Sequence, residues 1–127
     1  MRIGFVGLGK IGQPMAKHIL NGGHDMQVFD LRREACTPLL NAGAILTNSP
    51  REAANGAEII FTSLPGPTEV LAAALGETGL LGGMDSGSIF ADLSTVSPES
   101  IQQIGETARA SGIEVLDCPV SGGVQGA

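Results

Sequence analysis

At 127 residues the chain has room for one domain with a sizeable core, residues 1–127, but not for a second full domain. Hydrophobic residues make up 43% and charged ones 16%, with 19 Gly and 7 Pro, which points to a compact fold with many tight turns and excludes disorder. A net charge of −6, no Trp or Tyr and only four Phe exclude a phosphate-backbone binder and a base-stacking platform, so no nucleic-acid partner is expected.

Short apolar runs alternate with helical patterns along the chain, the signature of parallel βαβ units. Ile3, Phe5 and Val6 form a first strand closed by Gly7. From Lys10 to Asn21 the residues Ile11, Met15, Ile19 and Leu20 recur at helical spacing until Gly22-Gly23 stops them. Met26–Asp30 reads as a second strand, Arg33–Asn41 as a helix and Ala44–Leu46 as a short third strand. Ser49-Pro50-Arg51-Glu52 has the cap, the first-position proline and the acid of a helix start. Glu58–Leu64 is a buried strand with a polar tail, Thr68–Leu75 a helix, and Gly76–Gly87 a glycine-rich connection with room for one helical turn. Ser88–Leu93 is a fifth strand, Ser97 caps a helix running to about Ala110, and Ile113–Asp117 is a sixth strand. The expected fold is therefore α/β, a doubly wound and mostly parallel sheet.

Charge is uneven along this pattern. Residues 1–51 hold Arg2, Lys10, Lys17, Arg32, Arg33 and Arg51 against Asp25, Asp30 and Glu34, whereas residues 52–127 hold Arg109 alone among their acids. An anionic ligand is expected to meet the first half. Cys36 and Cys118 show neither metal-ligand nor CxxC spacing, which favours a reducing, cytoplasmic compartment and no metal site. No apolar run approaches the ~20 residues of a membrane span, and the glycine-broken start does not read as a signal peptide.

Gly7-Leu8-Gly9-Lys10-Ile11-Gly12 is a G-x-G-x-x-G run between a strand and a helix, with the acid Asp30 ending the next strand. In a Rossmann-type turn Gly7 permits the tight exit, Gly9 lets the backbone approach a pyrophosphate, and Gly12 lets the helix lie close on the sheet. The N–H groups and positive end of that helix then face the negative ligand. Asp30 is expected to hold the adenosine ribose of NAD and to repel the extra phosphate of NADP. Arg32 and Arg33 just beyond it keep NADP open as the alternative.

The run Gly7-Leu8-Gly9-Lys10-Ile11-Gly12-Gln13-Pro14-Met15-Ala16 resembles the N-terminal motif of the β-hydroxyacid dehydrogenases of the 3-hydroxyisobutyrate dehydrogenase type. Ser63-Leu64-Pro65, Asp92-Leu93-Ser94-Thr95 and Asp117-Cys118-Pro119-Val120-Ser121-Gly122-Gly123-Val124-Gln125-Gly126-Ala127 extend the likeness in order over the whole chain. The resemblance implies that Leu64 and Pro65 line the adenosine side of the cofactor and that Thr95, with Ser94, stands by the nicotinamide. It also implies that Ser121, Gly122 and Gly123 bind the carboxylate of a small substrate. Such a hydroxyl with successive glycine N–H groups makes an anion nest on physical grounds too.

His18 stands where the family usually has Asn, and is read as a packed or solvated helix residue rather than a catalyst; His24 is read as a turn residue. The family's catalytic lysine and all-helical C-terminal domain lie beyond residue 127, so the chain is expected to be a truncated N-terminal domain. It is expected to bind cofactor with little or no turnover, while the intact enzyme, a homo-oligomer, oxidises a short 3-hydroxy acid. A non-catalytic dinucleotide-binding module is the alternative, and a Rossmann-type methyltransferase or flavoprotein a third option that Pro14-Met15 and the Asp117–Ala127 stretch oppose.

Overall fold

The computed structural model describes residues 1–120 and residue 127. Strand β1 (Arg2–Val6) leads through helix α1 (Gly12–Asn21) to β2 (Asp25–Phe29). A 3-10 turn (Arg33–Cys36) and α2 (Thr37–Asn41) then lead to β3 (Ile45–Leu46). Helix α3 (Pro50–Ala54) crosses to β4 (Ile59–Thr62), followed by α4 (Pro67–Leu75) and a second 3-10 turn (Leu80–Gly83). Strand β5 (Ile89–Asp92), α5 (Pro98–Arg109) and β6 (Glu114–Asp117) complete the order. The sheet runs β3-β2-β1-β4-β5-β6, and all five neighbouring pairs are parallel. Strand order reverses direction between β1 and β4, which is where sheets of this kind open a crevice for a ligand.

Alternation along the strands divides the core between the two faces of the sheet. Ile3 and Phe5 of β1 join Ala16 and Leu20 of α1, Met26 and Val28 of β2, and Leu39 of α2 on one face. Ile60 of β4 and Phe90 of β5 join Val70, Ala74, Ile104 and Ala108 of α4 and α5 on the other. Phe5 and Phe90 are both fully buried, each worth roughly 1.5–3 kcal/mol of removed apolar surface.

Local chemistry explains where the expected helices shift. Helix α1 begins at Gly12 rather than Lys10, because residues 7–11 are spent turning out of the strand. Within its first turn Gln13 N–H donates to Gly9 O and Met15 N–H to Ile11 O. Pro14 falls between these bonds and has no N–H, so the helix forgoes one bond there. The segment expected as one helix over Arg33–Asn41 is split, since Pro38 cannot donate back into the ladder. Ala35 N–H bonds three residues back to Arg32 O, and an α-helix starts afresh with Pro38 in its first turn, where an N–H has no partner to lose. Ser49 does cap α3, its Oγ accepting from Glu52 N–H at 3.1 Å. The Glu52 carboxylate reaches Asn48 N–H at 2.8 Å rather than the cap residue's own N–H, a box displaced by one residue.

Gly4 has a role that periodicity did not reveal. A Cβ there would collide with Ile60 Cδ1 and with the backbone carbonyl of Ala53, so α3 lies directly on the backbone of β1. Backbone cannot rotate away as a side chain can. Gly4→Ala is expected to cost about 1–3 kcal/mol and to lower Tm by several degrees in a thermal melt.

Candidate functional site

The carboxyl ends of β1, β2, β4 and β5 gather the residues singled out from sequence, and the glycines at β1 differ sharply in what surrounds them. Gly7 has φ +97° and its N–H donates to Phe29 O at 3.0 Å. A Cβ on Gly7 would strike Ser63 O and stand 2.9 Å from Leu64 Cδ2. A Cβ on Gly12 would strike Gly7 O and stand 3.2 Å from Ser63 Cβ. These two glycines are therefore required by the fold itself, which presses β1, the first turn of α1 and the end of β4 together.

Gly9 is under no such demand. Its φ lies outside the left-handed region, and a Cβ there would find only Arg32 Nη2, at 4.0 Å. Open space above a half-buried backbone, just before the start of a helix, is an arrangement that suits an anion. Lys10, beside it, is exposed and Ile11 half-buried.

Asp30 is tied into this turn from below. Its Oδ2 accepts Leu8 N–H at 2.7 Å and its Oδ1 accepts Arg32 N–H at 2.8 Å. The Leu8 side chain is buried among Phe5, Val28 and Cys36, so this residue meets the turn as backbone only. A carboxylate offers about four acceptor positions, so Asp30 keeps capacity for hydroxyl donors after these bonds. The Arg32 side chain lies 3.5 Å from Asp30 Oδ1 and is 63% exposed, at the mouth of the turn. Arg33 points elsewhere, donating to Asn48 Oδ1 at 3.3 Å. Burial, and after it the Asp30 charge, pushes the Cys36 thiol up, so it stays protonated and inert.

The ends of β4 and β5 are joined by polar side chains. Thr62 Oγ1 donates to Asp92 Oδ1 at 2.6 Å, and Ser94 N–H donates to the same oxygen at 3.1 Å. Ser94 Oγ in turn accepts Leu64 N–H at 2.8 Å. Leu64 is half-buried, while Pro65 and Thr95 are exposed on the two loops that this network holds. Sequence reasoning named Ser94 but passed over Thr62 and the role of Asp92. Their signal was a polar residue closing each of two buried strands. Asp92 Oδ2 is buried and has no hydrogen-bond partner among the described residues.

The expected carboxylate nest, Ser121-Gly122-Gly123, lies outside the described residues. His18 is exposed, its Nε2 3.1 Å from Ala127 O. Among the described residues no three His, Cys, Asp or Glu side chains cluster as a metal site would require, and no helix is long and apolar enough to cross a membrane. Two cavities of about 410 and 400 Å³ lie away from the glycine turn, one between α5 and β6 and one between α3 and the second 3-10 turn.

Known proteins match this chain over its whole length. The family model for the NAD binding domain of 6-phosphogluconate dehydrogenase matches residues 2–127. A 3-hydroxyisobutyrate dehydrogenase of Pseudomonas aeruginosa is 41% identical over 125 residues, covering 98% of this chain and 42% of the relative. An NAD-dependent L-serine dehydrogenase of the same organism is 40% identical over 126 residues, covering 99% and 42%. A solved structure described as Psf3 in complex with NADP+ and 2-OPP superposes with a TM-score of 0.89 at 31% identity, covering 98% of this chain and 44% of that one. The chain thus spans less than half the length of the proteins it matches.

Two outcomes follow from the site as built. Asp30→Ala strands the buried Leu8 N–H and is expected to lower stability by about 1–3 kcal/mol in a denaturant melt, with no ligand present. A thiol reagent added to the folded protein is expected to modify half-buried Cys118 well before Cys36, which is fully buried.

Proposed function

Because the chain belongs to the family of the NAD binding domain of 6-phosphogluconate dehydrogenase, we propose that it is the cofactor-binding part of an NAD(P)-dependent oxidoreductase of the 3-hydroxyisobutyrate dehydrogenase type. The observation that carries this reading is the room over Gly9, a glycine that neither backbone conformation nor a neighbouring atom requires. A turn that keeps a Cβ out of empty space is built for something that comes from outside.

The residues fit a dinucleotide. Gly7, Leu8, Gly9, Lys10, Ile11 and Gly12 offer backbone N–H groups and a helix start to the pyrophosphate. Asp30 takes the adenosine ribose hydroxyls with the acceptor positions that Leu8 and Arg32 leave free. Leu64 and Pro65 line the cofactor on the adenosine side, and Thr95 stands toward the nicotinamide. Bound there, the nicotinamide supplies the hydride-accepting ring. We favour NAD, since Asp30 places a negative group where NADP carries a phosphate. Arg32, exposed at the mouth of the turn, is the group that admits NADP.

The substrate we propose is a small hydroxy acid, its carboxylate held by Ser121, Gly122 and Gly123. Support comes from the nest-forming chemistry of that sequence and from the hydroxy-acid dehydrogenase that this chain resembles at 41% identity. No general acid–base is assigned within residues 1–127: Lys10 belongs to the glycine turn and Lys17 is exposed on α1. That group, the choice of hydroxy acid and any homo-oligomer are assigned to the portion of the longer relatives that this chain does not span. Unpaired Cys36 and Cys118 support a cytoplasmic setting.

Gly9→Ala tests the reading. A methyl group there touches nothing closer than Arg32 Nη2 at 4.0 Å, so Tm without ligand should stay within about 2 °C of wild type. Affinity for NAD+ by titration calorimetry should fall tenfold or more, about 1.4 kcal/mol. Wild-type affinity in this variant means that the turn serves some other purpose.

A further inference from the structure

Asp92 is a buried charged side chain at the strand ends whose chemistry the proposed function leaves unused. It is fully buried at the last position of β5, beside the crevice. One of its oxygens is fully employed, accepting Thr62 Oγ1–H at 2.6 Å and Ser94 N–H at 3.1 Å. The other, Oδ2, is buried with no donor among the described residues. Burying half a carboxylate without a donor is among the more expensive arrangements open to a fold. A framework role does not need a carboxylate, because an asparagine presents the same single acceptor to Thr62 and Ser94 and places a neutral amide in the interior instead. Buried groups left unmatched in this way are characteristic of places where stability is given up for function.

The location says which function. Through Ser94 the carboxylate controls both ligand-facing loops at once, since Ser94 N–H is held by Asp92 while Ser94 Oγ holds Leu64 N–H at 2.8 Å. Ser94 and Thr95 also carry the nearest hydroxyl donors along the chain. The Ser94 hydroxyl proton meets no acceptor among the described residues, and Thr95 is exposed. An acceptor without a donor and donors without an acceptor thus stand two and three residues apart.

Resting on the dinucleotide reading above, we propose that Asp92 is a positioning residue for the nicotinamide half of the cofactor. Its Oδ1 locks the β4 and β5 loops together, and its Oδ2 accepts a hydroxyl of the Ser94-Thr95 segment when that segment closes on the bound dinucleotide. Asp92 does not touch the cofactor. It sets where Thr95 presents itself, and the adenosine half, seated on the β1 turn, does not depend on it.

The test compares NAD+ with ADP, which lacks the nicotinamide riboside, on wild type and on Asp92→Asn, by calorimetric titration and thermal melting. Asparagine keeps the acceptor used by Thr62 and Ser94 and replaces the free oxygen by an amide that only donates. The expected result is a Tm equal to or above wild type, NAD+ bound about tenfold more weakly and ADP within twofold. A lowered Tm with NAD+ and ADP weakened alike makes Asp92 a framework residue and overturns the proposal, as does NAD+ affinity within twofold of wild type. Should Asp92→Asn not fold, Thr62→Val, which removes the other donor to the same carboxylate, is expected to give the same split between NAD+ and ADP. Equal effects there overturn the proposal too. Failure of wild type to bind NAD+ at all removes the dinucleotide reading itself, a result distinct from a variant that binds as wild type does.

Discussion

Backbone lying directly on backbone at the end of β1 is the constraint on which the remaining geometry rests. Gly7, Gly12 and Ser63 come so close that no Cβ fits on either glycine. Because α1 can descend this far, its first N–H groups reach the carboxyl edge of the sheet instead of standing off it. The same approach brings the end of β4 alongside, so that the loops after β1 and β4 bound one crevice. Gly4 repeats the device beneath, where α3 presses on β1. A sheet strand with glycine at its centre normally loses stability. Here the loss is offset by the closeness of the helix that covers it.

Above that contact, the ligand-facing loops are held by side chains that end buried strands. Asp30 ends its strand by grasping Leu8 N–H, which ties β2 to the turn after β1. Asp92 and Thr62 tie β5 to β4, and Ser94 carries the tie on to Leu64. Each bond converts a flexible loop into an extension of the sheet. Binding surfaces ordered before the ligand arrives lose less entropy on binding, so these polar contacts matter for affinity as well as for shape. Asp30 shows the double duty most directly: the carboxylate proposed to take the ribose also supports the turn proposed for the pyrophosphate.

The architecture was legible because the central strands read as short apolar runs, because helical spacing fills the stretches between them, and because Gly, Pro and Ser punctuate both. All six strands and the cap at Ser49 could be read that way. The turn after β1 was legible where identity is forced by space, as at Gly7 and Gly12. What escaped was whatever depends on pairing between distant segments. Nothing near residue 4 in sequence announces that Ala53 will lie over it. Nothing near residue 92 announces Thr62 as its partner, since both read as polar ends of separate strands. The split of the segment after Arg33 was a different omission, for Pro38 was visible and its effect on the helical ladder local.

The sheet topology also turns a property of the linear sequence into one of space. Residues 1–51 supply β1, β2 and β3, and residues 52–127 supply β4, β5 and β6. The strand order puts the first group wholly on one side of the β1–β4 crevice and the second wholly on the other. Of the basic excess of the first half, Arg2 at the start of β1 and Arg51, packed by Gly82 and Gly83, stand away from the turn. A chain of net charge −6 repels an anion at long range, yet within a Debye length of about 8 Å the nearer charges decide. There Lys10 and Arg32 stand exposed at the turn. Those two cations favour the approach of an anionic group to the turn after β1.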